Sequence, residues 1–136
     1  MKKYISILGS TGSVGLTSLK IIDKKKHQLK CYLLSANKNF PKICKQIEIY
    51  KPKLFIINDP LTFAKVKKKY KKRNIKILNS FKNLKLARKN DITISAIPGI
   101  IGLGPTLKMI QHSKKILIAN KESIICGWNL IKKKSI

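Results

Sequence analysis

The fold is decided by the stretch Tyr4-Ile5-Ser6-Ile7-Leu8-Gly9-Ser10-Thr11-Gly12-Ser13-Val14-Gly15. Its apolar first half is typical of a buried strand, and its second half carries three glycines at intervals of three residues. An amphipathic pattern follows, in which one helical face holds Val14, Ser18, Ile21 and Ile22. The stretch therefore predicts a strand, a tight glycine turn and a helix.

A turn of this kind is suited to phosphate, because backbone N–H groups and the positive end of a helix converge on one point. A Cβ atom would block the sharp turn or hold a pyrophosphate away from the backbone. The spacing has one residue more than the common Gly-x-Gly-x-x-Gly pattern, and the alternative is a glycine turn that only joins two elements. The strand before it and the helix after it favour a dinucleotide site.

The chain of 136 residues has the length of one domain with a single core. No apolar run approaches the roughly 20 residues of a transmembrane helix, and the run after Met1-Lys2-Lys3 is too short for a signal peptide. We therefore expect a soluble, cytoplasmic protein. Its widely spaced cysteines indicate apolar fillers in a reducing compartment. They are Cys31, Cys44 and Cys126.

The formal charge of +26 raises the alternative of a basic nucleic-acid-binding module. Only Arg73 and Arg88 are arginines, whereas base readout favours arginine and stacking needs interleaved aromatic side chains. Most lysines fall on predicted solvent faces. We expect nonspecific affinity for nucleic acid at low salt, and no specific nucleic-acid partner.

Apolar runs alternate with longer amphipathic segments along the chain. The predicted strands are residues 4–8, 30–34, 54–57, 75–78, 91–96 and 116–119. The predicted helices are residues 14–25, 41–50, 61–72, 84–89 and 105–112, with a last one from about Glu122. This alternation predicts an α/β fold, namely a Rossmann-like, doubly wound and mainly parallel sheet with helices on both faces.

The second predicted strand ends in Ser35-Ala36-Asn37-Lys38-Asn39, which contains no acid. A carboxylate there would bind the ribose hydroxyls of NAD and repel a 2′-phosphate. Lys38 can pair with that phosphate, and Asn37 and Asn39 can donate hydrogen bonds to it. The segment thus favours NADP(H), the alternative being that Lys38 is one more surface lysine.

Two further segments follow predicted strands. The loop at residues 96–99 either flanks the cofactor or is an ordinary strand-to-helix turn. The segment Asn120-Lys121-Glu122-Ser123 combines an amide, a cation, a carboxylate and a hydroxyl. Asn120 or Ser123 can cap a helix, whereas Lys121 can neutralise a substrate phosphate.

Residues 7–15, 36–39 and 119–123 together closely resemble 1-deoxy-D-xylulose 5-phosphate reductoisomerases. The resemblance runs to about residue 134 and covers the family's N-terminal, NADPH-binding domain. It implies that residues 1–136 form an NADP(H)-binding Rossmann-like domain, with the catalytic and C-terminal domains absent. Such enzymes use NADPH and Mg or Mn to isomerise and reduce 1-deoxy-D-xylulose 5-phosphate to 2-C-methyl-D-erythritol 4-phosphate, an early step of non-mevalonate isoprenoid synthesis.

The resemblance also assigns roles to residues. The cofactor loop would comprise Ser10, Thr11, Gly12, Ser13 and Val14, the last four of which would hold the pyrophosphate. The 2′-phosphate would lie at Asn37, Lys38 and Asn39. The reactive end of NADPH would contact Asn120 and Glu122, and the sugar phosphate would contact Lys121.

No catalytic residue or metal ligand is expected within this chain, because the family's metal-binding segment belongs to the catalytic domain. We therefore expect the chain alone to be inactive. Family members are homodimers, and the resemblance leaves the oligomeric state of this chain open. The alternatives are another NADP-dependent dehydrogenase, such as an aspartate-semialdehyde dehydrogenase type, the basic nucleic-acid module, and an NADPH-binding protein without catalysis.

Overall fold

The computed structural model describes residues 2–82, 84–119 and 121–135, without the side chains of residues 121–126 and 135. In this part of the chain, strands and helices alternate. The strands are β1 (Lys3–Leu8), β2 (Leu29–Ala36), β3 (Leu54–Ile57), β4 (Lys76–Leu78), β5 (Asn90–Ser95) and β6 (Ser113–Ile118). The helices are α1 (Ser13–Lys24), α2 (Phe40–Tyr50), α3 (Pro60–Lys69), α4 (Leu103–Ile110) and α5 (Lys121–Ser135).

All strand pairs are parallel, and the sheet has the order β4-β3-β2-β1-β5-β6. The chain starts in the middle of the sheet, winds outward to β4, and then crosses back to β5. Because the winding direction reverses between β1 and β5, a crevice opens outside their carboxyl ends. This topology confirms the predicted doubly wound sheet and places the β1–α1 turn at the crevice.

Helices cover both faces of the sheet, and each face has its own apolar core. One core packs α1, α2 and α3 through Leu19, Ile43 and Val66. The other contains Met109 of α4 together with Phe81 and Leu84 from the crossover. The two cores account for the near-complete burial of the central strands, which read as continuous apolar runs.

The predicted apolar face of α1 is confirmed at Ile22 and wrong at Val14 and Ile21. The buried residues of this helix are Gly15, Leu19 and Ile22, whereas Val14 is 42% and Ile21 50% exposed. Consecutive helical residues point about 100° apart. Gly15 lies directly against the loop, and the neighbouring Val14 is therefore exposed.

The predicted helix at residues 84–89 is also wrong, because this segment has no regular secondary structure. Residues 79–89 must bring the chain from β4 to β5, which are four strand positions apart. That distance is about 19 Å at a strand spacing of about 4.8 Å, and each residue advances only about 1.5 Å in a helix against about 3.3 Å in an extended chain. The described part of the crossover is irregular, which spans the sheet with fewer residues than a helix needs, and it buries Phe81 and Leu84.

Cys31 and Cys44 are buried free thiols, and burial raises the pKa of Cys31. Both are apolar fillers as predicted, while the side chain of Cys126 lies outside the described part of the chain. Among the described helices, none has both the length and the apolar character needed to cross a membrane.

Candidate functional site

The β1–α1 loop is anchored to the carboxyl ends of the neighbouring strands. After Leu8 the backbone turns through Gly9, whose φ of +83° is left-handed and favours glycine. The N–H groups of Gly9 and Ser10 donate to the Ser35 carbonyl oxygen of β2 at 3.1 and 2.8 Å. On the other side, Ala96 donates its N–H to the Leu8 carbonyl oxygen at 2.9 Å. The loop is therefore fixed between β2 and β5.

Glycine occurs at the three positions of the loop for different physical reasons. A Cβ on Gly9 would lie 2.8 Å from the Ala96 carbonyl oxygen. A Cβ on Gly15 would overlap the Gly9 carbonyl oxygen and lie 2.7 Å from Ser10 Cα. A Cβ on Gly12 would meet only the Gly9 oxygen, at 3.7 Å. Packing within the chain thus requires glycine at positions 9 and 15, whereas exposed Gly12 leaves open space at the start of α1.

That space adjoins the first turn of α1. Gly12 is the N-cap residue and offers no side chain, so the N–H groups of Ser13, Val14 and Gly15 have no acceptor within the helix. The first turn contains no acidic residue. Thr11 is half-buried, and Ser13 is exposed. Free amides and the positive end of the helix dipole suit this point to an anion.

Ser10 plays a different part from its neighbours, because its side chain is fully buried. Its hydroxyl donates to Gln46 Oε1 at 2.7 Å, and Gln46 Nε2 donates back to the Ser10 carbonyl oxygen at 2.9 Å. The structure therefore uses both hydrogen-bond donors of Ser10 within the protein. Sequence reasoning missed Gln46, since no local pattern links residues that are 36 positions apart.

The β2–α2 turn lies at the same sheet edge and exposes Asn37, Lys38 and Asn39. Asn39 caps α2, because its Oδ1 accepts the Lys42 N–H at 3.2 Å. The signal for this cap was present in the sequence, as an asparagine two residues before Pro41. The side-chain donor of Asn39 is its amide nitrogen, which the cap leaves unused.

The β3–α3 turn contributes the carboxylate of Asp59 to this edge. Its pKa is lowered, first by hydrogen bonds from the Thr62 hydroxyl and N–H at 2.7 and 3.0 Å, and then by the charges of Lys38 and Lys65. Asp59 caps α3. Because Thr62 binds the same carboxylate oxygen twice, that group is committed to the cap.

The remaining predicted segments approach the edge from β5 and β6. The loop at residues 96–99 follows β5 directly, and Gly99 has a left-handed φ of +81°. Ala119 donates its N–H to the Ser95 carbonyl oxygen at 2.9 Å, which fixes the start of the last segment beside β5. Asn120 lies outside the described residues, as do the side chains of Lys121 and Glu122.

A cavity of about 500 Å³ opens at the opposite, amino edge of the sheet, with Tyr50, Lys51 and Arg73 in its lining. Lys51 follows the end of α2, where a cation offsets the negative end of the helix dipole, and Arg73 forms an ion pair with Glu48 at 3.3 Å. These basic residues are therefore explained without a ligand. Within the described ranges, no group of three or more His, Cys, Asp or Glu residues is arranged to hold a metal ion.

Comparison with known proteins gives a consistent result. The sequence model of the 1-deoxy-D-xylulose 5-phosphate reductoisomerase family matches residues 5–127. A reductoisomerase of Pelagibacter ubique is 47% identical over 135 residues, covering 96% of this chain and 35% of the relative. One from Clostridium tetani is 40% identical and covers 98% of this chain and 36% of the relative. The chain thus spans about a third of the length of these relatives.

Solved structures agree with the sequence relatives. The reductoisomerase of Zymomonas mobilis in complex with NADPH superposes with a TM-score of 0.88 at 26% identity, covering 98% of this chain and 36% of that protein. A DOX-P reductoisomerase in complex with magnesium gives a TM-score of 0.87 at 27% identity, covering 99% of this chain and 35% of that protein. The chain therefore belongs to the 1-deoxy-D-xylulose 5-phosphate reductoisomerase family.

Proposed function

We propose that residues 1–136 are the NADP(H)-binding domain of a 1-deoxy-D-xylulose 5-phosphate reductoisomerase. The observation that carries the proposal is the open space at Gly12, next to the unpaired amides of the first turn of α1. The two other loop glycines are explained by packing, and this one is explained by a group that approaches the backbone. A pyrophosphate has the charge and the acceptor atoms for that position.

In the proposed complex, Thr11, Gly12, Ser13 and Val14 hold the pyrophosphate. The backbone amides supply most of the hydrogen bonds, and the Thr11 and Ser13 hydroxyls add donors of the same kind. Ser10 belongs to the same loop but supports it from within the protein, because its hydroxyl donates to Gln46 and its N–H donates to the Ser35 carbonyl oxygen. This arrangement presents donors to an anion on one side of the loop and fixes the loop on the other.

The exposed turn of Asn37, Lys38 and Asn39 is the proposed 2′-phosphate site. Lys38 supplies the charge, and the amide nitrogens of the two asparagines supply donors. The nearest carboxylate at this edge, that of Asp59, already accepts two hydrogen bonds from Thr62. NADP(H) is therefore favoured over NAD(H).

The reactive end of the cofactor is proposed to contact Asn120 and Glu122, with Lys121 on the sugar phosphate, by resemblance to the family. The backbone supports this assignment, because α5 begins at Lys121 close behind the end of β6. Bound NADPH would supply a hydride to the substrate. This chain would contribute binding and orientation of the cofactor.

The activity proposed for the whole protein is the Mg- or Mn-dependent isomerisation and NADPH reduction of 1-deoxy-D-xylulose 5-phosphate, in the cytoplasm and as a homodimer. By resemblance to the family, the metal ligands and the catalytic residues belong to the catalytic domain, so we assign no catalytic residue and no metal-dependent step to this chain. We expect the chain alone to consume no NADPH when it is given substrate and magnesium. A steady-state rate from the pure chain would contradict this expectation.

Calorimetric titration of the chain with NADPH and then with NADH tests the binding proposal. Moderate salt is required, because a formal charge of +26 attracts any polyanion at low ionic strength. We expect saturable binding with a clear preference for NADPH. Millimolar or weaker affinity for both dinucleotides would remove the cofactor assignment.

A further inference from the structure

Gln46 is a buried amide on the second turn of α2, and it makes two reciprocal hydrogen bonds with a single residue of the glycine loop. Its Oε1 accepts the Ser10 hydroxyl at 2.7 Å, and its Nε2 donates to the Ser10 carbonyl oxygen at 2.9 Å. Both residues are buried, Gln46 being 3% and Ser10 0% exposed. The pair is thus shielded from water, which could otherwise replace either bond.

The pair completes the anchoring of Ser10. The sheet binds the Ser10 N–H through the Ser35 carbonyl oxygen of β2. The other two polar groups of Ser10, its hydroxyl and its carbonyl oxygen, are bound by Gln46 of α2. If Gln46 lost its amide, a buried hydroxyl and a buried carbonyl would lack partners. The loop would then have to shift toward water to satisfy them.

The position of Gln46 within α2 gives the pair a second consequence. The same helix begins at Phe40, directly after the exposed turn of residues 37–39, and is capped by Asn39. The helix α2 therefore follows the turn at its first residue, Phe40, and binds the glycine loop through Gln46, six residues later. This helix thus links the two proposed phosphate-binding regions, in addition to β2, whose Ser35 carbonyl oxygen binds the loop two residues before the turn.

We propose that Gln46 is a positioning residue for the dinucleotide, which holds the pyrophosphate loop at a fixed distance from the 2′-phosphate turn. This inference rests on the proposed function. It concerns a residue that touches no part of the ligand, so its effect must appear only with ligands that engage the glycine loop.

The test compares Gln46→Met, which keeps the length of the side chain and removes both hydrogen bonds, with Tyr70→Phe. The control removes another buried hydrogen bond to α2, from the Tyr70 hydroxyl to the Cys44 carbonyl oxygen at 3.3 Å. Dissociation constants are measured for NADPH and for adenosine 2′-monophosphate, which lacks the pyrophosphate. Amide resonances are recorded without ligand, at a temperature where both variants are folded.

We expect Gln46→Met to weaken NADPH binding about tenfold, the equivalent of one lost hydrogen bond, and to leave adenosine 2′-monophosphate binding unchanged. Its loop amides should shift without ligand, whereas Tyr70→Phe should change neither binding nor the loop. If Gln46→Met does not fold, Ser10→Ala replaces it, since it removes only the bond from the Ser10 hydroxyl to Gln46 Oε1 and should give a smaller loss of the same kind.

Wild-type affinity for NADPH in a variant whose loop amides have shifted would overturn the inference, as would an equal loss for both ligands. If the unmodified chain binds no NADPH, the proposed function fails. The ligand-free spectra then still decide the structural part, because unshifted loop amides in Gln46→Met would show that Gln46 does not hold the loop.

Discussion

Replacing Gly12 with alanine should change NADPH affinity while leaving the stability of the fold nearly unchanged. The backbone at Gly12 has φ −81° and ψ 176°, which any residue adopts. The added Cβ would meet only the Gly9 carbonyl oxygen, at 3.7 Å, an ordinary contact. Alanine is a poorer N-cap than glycine, whereas replacing glycine lowers the entropy of the unfolded chain, and the two effects oppose each other. We therefore expect the free energy of unfolding to change by less than about 1 kcal/mol.

Gly15→Ala is the matched change on the same loop. Its Cβ would lie 2.7 Å from Ser10 Cα and would overlap the Gly9 carbonyl oxygen. Carbon atoms normally pack about 3.5–4.0 Å apart, so α1 and the loop must separate by about 1 Å. Overpacking of this kind costs about 1–3 kcal/mol, and each kcal/mol lowers the unfolding temperature of a chain of this size by about 3–5 °C.

Binding should follow a different order from stability. In Gly12→Ala the new methyl group occupies the space proposed for the pyrophosphate, and we expect the NADPH dissociation constant to rise at least about tenfold, or about 1.4 kcal/mol. Thermal unfolding and calorimetric titration of both variants measure the two effects. Wild-type NADPH affinity in Gly12→Ala would refute the reasoning, because the space beside Gly12 would then not be the position of the pyrophosphate.

Three further predictions concern charge. Lys38→Glu should abolish the preference for NADPH over NADH, while the distant change Lys71→Glu should keep it; equal NADPH affinities in the two variants, measured by titration, would count against the 2′-phosphate site. The pKa of Asp91 is lowered, mainly by the Tyr4 N–H that donates to it at 2.7 Å and also by Lys114 and Arg88. This stabilisation is therefore present above the ordinary carboxyl pKa of about 3.9 and is lost as the pH falls through the lower folded-state value. Asp91→Asn should unfold at a lower temperature than the wild type at pH 7, and the difference should vanish near pH 2; a difference that does not depend on pH would contradict the assignment. Because 31 cations face 5 anions, adding sodium chloride should raise the unfolding temperature, and a scan series without any rise would exclude charge repulsion as a destabilising factor.

The order of strands and helices was predictable because it depends on local patterns. Apolar runs of strand length alternate with segments of helical period, and residues close in sequence determine both. The same holds for the glycine turn and for the absence of an acid after β2. The 54–57 strand was predicted at its observed bounds, and most other elements shifted by one to three residues.

The sequence-based predictions that were wrong concern features determined by residues far apart in the sequence. Residues 84–89 were predicted as a helix, but the crossover must span four strand positions. Val14 was predicted on the apolar face of α1, but Gly15 is the residue that lies against the loop, and Val14 is exposed. In both cases a length or a contact across the sheet overrides the local pattern.

The sequence by itself determined that a strand, a glycine turn and a helix open this chain, since backbone preferences and apolar periodicity act between near neighbours. Only the tertiary structure decided that close packing requires glycine at positions 9 and 15 and that open space adjoins Gly12. It also decided that Gln46 forms hydrogen bonds with Ser10. These assignments depend on atoms of separate segments that come within about 3–4 Å after folding. Hydrogen bonds and steric overlap act only over such distances, so no pattern along the chain contains them.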